Sequence, residues 1–134
     1  MNKAEYANHI RQLAEQHGIA MEGHSSGGRA FRKTRTIKTK PVKSAITYAL
    51  ALHEIGHIVG PWQSQARLFK EAGAWKWAMD NAAVWTAVMH SYMVKSLTSY
   101  LNWAERKRNR GVRNAPIIPP EGHEFWDLLV PEEE

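Results

Sequence analysis

The chain has 134 residues, 43% of them hydrophobic, with six Trp, four Tyr, three Phe and no Cys. This suits one domain with one packed core, and it excludes disulfide scaffolds, thiol catalysis and Cys-ligated metal. The net charge of +5 is unevenly spread: residues 1–113 hold 18 basic and 7 acidic residues, a net +11, and the remainder holds six acidic residues and no basic ones.

Lys3 to His17 reads as a helix, with Tyr6, Ile10, Leu13 and Ala14 on one face and Gly18 as its stop. The cluster Gly23-His24-Ser25-Ser26-Gly27-Gly28 forms turns. Arg29 to Lys40 is rich in Thr, Arg and Lys around Phe31 and Ile37 and is expected to form short antiparallel strands closed by Pro41. Lys43 to Ile58 is a second helix, capped by Ser44, with Ile46, Leu50, His53 and His57 on one stripe and a stop at Gly60-Pro61. A third helix begins near Ser64 and runs at least to Asn81; its pattern continues to His90 and beyond, with a break expected near Thr86. A last helix is expected from Ser96 to Arg110, ending at Gly111. Residues 114–134 read as a Pro-rich linker and an acidic tail, in which Phe125, Trp126, Leu128 and Leu129 are candidates to dock on the body. No apolar run is long enough to span a membrane, and the N-terminus lacks the apolar stretch of a secretory signal, so a cytoplasmic setting is expected.

The chemistry is carried by His53-Glu54-Ile55-Gly56-His57. Histidines four apart on a helix project from one face and can share one Zn²⁺, and the Glu beside the first can act as general base on the metal's water. Zinc lowers the pKa of that water to about 7 and polarises a substrate carbonyl. The plain alternative is two ordinary helix histidines beside a surface carboxylate. A catalytic zinc wants a third protein ligand. The position six residues after His57 is Gln63, which cannot serve, and no Cys is present. Glu71, 14 residues after His57, is the candidate: a Gly-Pro-Trp turn would bring its helix back past the metal. Its helical neighbours Ala74 and Ala78 would let the two helices approach closely, while pairing of Glu71 with Arg67 or Lys70 is the competing reading.

His53-Glu54-Ile55-Gly56-His57-Ile58-Val59-Gly60, followed by Glu71-Ala72-Gly73-Ala74-Trp75-Lys76-Trp77-Ala78, resembles the zinc peptidases of the ImmA/IrrE type carried by phages and mobile elements. In that family an HExGH helix precedes one reading roughly ExxANxFA. The strand-like Arg35-Thr36-Ile37-Lys38 before the active helix is similar too. The resemblance covers about half the chain, Gly18 to Ala83. It implies zinc as cofactor, His53, His57 and Glu71 as ligands, Glu54 as base, and a regulatory protein as substrate. Trp75 and Trp77 stand where the family has Asn and Phe, and the helix-turn-helix often fused to such peptidases is not found.

The expected fold is therefore α+β, a minimal zincin-like domain over residues 1–113, mostly helical, with a small antiparallel sheet before the active helix. The first functional expectation is a zinc-dependent endopeptidase. The second is a nucleic-acid-associated accessory protein of phage or plasmid origin, with structural or DNA-activated zinc, using the basic segments 29–43 and 106–113. A family member that binds its target without cutting is a third. Donors for a developing oxyanion are sought among Tyr48, His90, Tyr92 and His123, and His9, His17 and His24 are given no role. The Trp residues read as core packing, and the acidic tail is a candidate cover for the active cleft.

Overall fold

The computed structural model describes residues 1–23 and 27–131. His24, Ser25 and Ser26 of the turn cluster and Glu132 to Glu134 of the tail lie outside the described residues. The fold is α+β. Its elements are α1 (Lys3–Gln16), β1 (Ala20–Gly23), β2 (Arg29–Phe31), β3 (Thr36–Thr39), α2 (Ala45–Val59), α3 (Arg67–Asn81), α4 (Ala87–Asn109) and α5 (Glu124–Leu128).

α1 starts at Asn2, whose side chain accepts from the Glu5 amide while the Glu5 carboxylate accepts from the Asn2 amide. Its buried face is Tyr6, Ile10, Leu13 and Ala14, as the spacing predicts. Gly18 then turns the chain at φ +64°, a conformation that favours glycine.

The sheet is mixed, which corrects the antiparallel expectation. β2 and β3 form the expected antiparallel hairpin, with Ala30 opposite Ile37. β1 joins the other side of β3 in parallel, with Met21 opposite Ile37, giving the order β1-β3-β2. β3 takes the centre because it alone carries strongly buried side chains, Ile37 and Thr39; β1 is exposed along its length. Ala20–Gly23 has no apolar alternation to announce a strand, and its pairing is decided by where α1 delivers it.

α2 is the hub. Ser44 caps it in reciprocal hydrogen bonds with Thr47. Tyr48, Ala49, Ala51, Leu52 and Ile55 are fully buried because α1, the sheet, α3 and α4 surround the helix. Small residues make the α2–α3 contact intimate. A Cβ on Gly56 would collide with the Ala74 backbone, and one on Gly73 would collide with the Pro61 carbonyl.

The break expected near Thr86 is there, and the last helix begins earlier than the periodicity suggests. α3 stops at Asn81, Ala82 is extended, and Thr86 caps α4 by accepting from the Met89 amide. Met89, Met93, Leu97, Leu101 and Ala104 then run as one unbroken buried stripe. Tyr48 holds the α3–α4 junction, its hydroxyl accepting from the Ala83 amide. Beyond Asn114 the chain docks: Phe125 and Leu128 of α5 enter the same core. Among the described residues, no helix is long and apolar enough to cross a membrane.

Candidate metal centre

His53 and His57 lie one turn apart on α2, and Glu71 comes from the first turns of α3. Glu71 Oε1 is 3.4 Å from His53 Nε2, and Glu71 Oε2 is 2.7 Å from His57 Nε2. One ligand atom from each of the three residues falls within 4.8 Å of the others. Donors on a four-coordinate ion with bonds of about 2 Å stand roughly 3.3 Å apart, so this spacing fits a shared metal ion. His53 and Glu71 are buried, at 8% and 6% exposure. His53 Nε2 has no hydrogen-bond partner among the described residues although it is fully enclosed. A buried ring nitrogen without a partner is costly, and a metal ion on the Glu71 side would satisfy it. Glu71 makes no ion pair with Arg67 or Lys70 within 4 Å, so the competing reading of this residue is set aside.

Electrostatics point the same way. Burial disfavours charge on His53, but Glu54 and Glu71 outweigh it and raise the ring's pKa to about 9. Burial likewise pushes the Glu71 carboxyl up, and the two imidazoles overcome it and hold the group well below the usual carboxylate range. The pocket thus stabilises positive charge opposite Glu71.

Each histidine is held from behind. The His53 ring stacks on buried Trp75, with centroids 4.4 Å apart and planes inclined by 20°. Trp75 is therefore a backing for a ligand rather than part of the cleft wall, whereas Trp77, Trp85 and Trp103 are half-buried against the core. His57 Nδ1 lies 3.0 Å from Gln63 Oε1. Gln63 Nε2 gives its two hydrogens to the carbonyls of Pro61 and Lys70, at 3.0 and 2.8 Å. Gln63 can then only accept from His57, so His57 carries a hydrogen on Nδ1, and Nε2 is the ring atom that faces Glu71 and that a shared metal ion would take. The turn that seats Gln63 holds Trp62 at φ +63°, which costs a non-glycine residue about 1 kcal/mol. Arg32, just past β2, pins it by donating to the Gln63 carbonyl at 2.9 Å.

Glu54 lines the cleft beside the ligands, its Oε1 3.4 Å from His53 Nδ1. Gly28 gives it room, since a Cβ there would stand 2.8 Å from Glu54 Cγ. Comparison with protein families, curated proteins and solved structures gives no match.

None of the four expected oxyanion donors lines this cleft. Tyr48 is buried and bonded to His9 Nδ1, at 2.6 Å, and to the Ala83 amide. His90 bridges Trp85 and the Val130 carbonyl. Tyr92 lies near Trp75, and His123 caps α5 between Trp62 and Phe69. The hydroxyl that does line the cleft belongs to Tyr100, on α4, against Glu71 and Arg67. Burial, and then the Glu71 charge, raise its pKa, so it stays a donor at neutral pH. Tyr100 lies 29 residues beyond Glu71, with no local pattern linking the two. The C-terminal segment is also placed elsewhere: nothing from residues 114–131 lines the cleft.

Proposed function

We propose that the protein is a zinc-dependent endopeptidase of the ImmA/IrrE type acting on a regulatory protein. The observation that carries this reading is the unpartnered, enclosed Nε2 of His53, which converges with His57 Nε2 on the Glu71 carboxylate while Glu54 stands beside them. Two imidazoles and one carboxylate form a donor set suited to zinc, and three protein ligands leave a coordination position open. When bound, zinc supplies a Lewis acid that acidifies water and polarises the scissile carbonyl.

The remaining roles belong to the chain. His53, His57 and Glu71 hold the ion, and Trp75 and Gln63 fix the two rings. Glu54 takes a proton from the attacking water on a carboxylate oxygen and returns it to the leaving amine. The Tyr100 hydroxyl donates to the substrate carbonyl oxygen as negative charge grows there. Glu54→Gln keeps the shape and the three ligands. The expected outcome is full zinc content with peptide cleavage reduced at least about 100-fold. Undiminished cleavage in that variant, or protein purified without chelators that holds no metal, contradicts the reading.

A nucleic-acid accessory role draws on exposed Arg106, Arg108 and Arg110. A closed structural zinc site wants four protein ligands, whereas the cluster among the described residues has three. Absence of binding to single-stranded and duplex DNA at low salt removes this alternative.

A further inference from the structure

The cleft continues beyond the metal centre. Arg29, Arg32, Arg67 and Lys70 line it, and its two carboxylates, Glu54 and Glu71, are both turned to the histidines. Arg67 and Tyr100 also line an adjoining hollow closed by Trp103 and Arg106. Arg106 in turn borders a third hollow that runs along α4 to Lys95. Lys95, Ser99, Asn102 and Arg106 stand four, three and four residues apart, so they form one stripe of that helix. No Asp or Glu lines the second or third hollow. Among the described residues, none of the six cations is ion-paired within 4 Å. Arg32 donates to the Gln63 carbonyl, and Arg67 lies against the Tyr100 hydroxyl.

Surface cations are usually interspersed with carboxylates, which lowers their mutual repulsion. Six of them along a concave track, with the available carboxylates turned to the histidines, set up a positive potential that concentrates anionic ligands. We propose that this track is the substrate groove and that it takes an extended peptide rich in Asp and Glu, the peptide nature of the occupant resting on the endopeptidase reading above. Ser99 and Asn102, between the cations, supply hydrogen bonds suited to a peptide backbone or a carboxylate. A nucleic acid would want aromatic faces free for stacking, whereas Trp103 is half-buried and the Tyr100 hydroxyl is turned to Glu71.

The test uses the full chain, loaded with zinc and carrying Glu54→Gln so that peptides stay intact. Fluorescence anisotropy compares a labelled peptide with Glu at alternate positions, the same peptide with Gln in their place, and single-stranded DNA of equal length. The Glu peptide is expected to bind at least about tenfold tighter than the Gln peptide at low salt, and the advantage should shrink as salt rises. Adding Lys95→Glu and Arg106→Glu, both away from the ligands, should remove most of that advantage with zinc content unchanged. Equal binding of the two peptides overturns the groove. So does a preference that survives the charge reversal, and so does DNA binding as tight as that of the Glu peptide. The enzymatic reading is tested separately, by whether the zinc-loaded protein with Glu54 intact cleaves the Glu peptide. Binding without cleavage keeps the groove and removes the peptidase, and equal cleavage of both peptides does the reverse.

Discussion

Gln63 stands where a third histidine would sit in another class of zinc enzymes, and here it orients His57 instead. Its amide is fully used, by two carbonyls and one imidazole, and the residue itself is only 5% exposed. Gln63→Ala would free His57 Nδ1 and take away the donor to the Pro61 carbonyl. Metal affinity is expected to fall about 10–100-fold while secondary structure persists, as competition with a chromogenic chelator and circular dichroism would show. Unchanged affinity would mean that His57 needs no orientation from this side. His53 sets the pH dependence. Its folded pKa of about 9 lies above its ordinary 6.5, so without metal its contribution to stability is complete below pH 6.5 and is lost as pH rises toward about 9. Glu71 shifts downward, so its contribution is present above its ordinary 4.5 and is lost in acid. A metal ion displaces the His53 proton, and its apparent affinity should rise about tenfold per pH unit across that window. The gap in melting temperature between zinc-loaded and metal-free protein should therefore widen from pH 6.5 to about pH 9; a narrowing gap contradicts this account.

At the scale of elements, the site is the seam between α2 and α3. Gly56 permits that seam, because its missing side chain lets the Ala74 backbone lie directly against α2. Gly56→Ala must push the helices apart at the level of the ligands. The expected cost is about 3 kcal/mol of stability, together with weaker metal binding because Glu71 withdraws from both rings. Chemical denaturation and zinc titration read the two effects. A variant with wild-type stability would show that the seam can slide. The seam was partly legible in the sequence: HExxH spacing puts two histidines on one face by helix geometry alone, and the small residues Ala74 and Ala78 already signalled close approach, whereas the contacts at Gly56 and Gly73 came only with the structure. The sheet was only half legible. The β2–β3 hairpin announced itself by composition, whereas β1 is an exposed strand without alternation and pairs because α1 places it there.

For the whole molecule, the described part of the C-terminal segment, through residue 131, buttresses the body and lines none of the cleft. Phe125 is fully buried and Leu128 nearly so, and α5 packs on α3, the helix that carries Glu71. Phe125→Ala is expected to cost about 3–5 kcal/mol in unfolding free energy. Cleavage measured well below the melting temperature should not rise, which separates a support from a cover. Higher activity in that variant would restore the idea of a tail that shields the site. The acidic composition beyond Arg113 suggested such a cover, but composition gives charge without position. Docking was set by two apolar side chains one helical turn apart.

The sequence by itself determined what is local: the helix cap at Ser44, the buried face of α1, and the pairing of His53 with His57 across one turn of α2. It also indicated Glu71, since a short turn followed by a helix limits where that carboxylate can lie. Only the tertiary structure decided what closes the site from a distance. Trp75 backs His53 because α3 packs against α2, Arg32 reaches the Gln63 turn because β2 ends beside it, and Tyr100 enters the cleft because α4 crosses Glu71. These partners share no period or motif with the histidines. They are brought together by burial of the apolar stripes on their own elements, and that three-dimensional packing leaves no local signature in the chain.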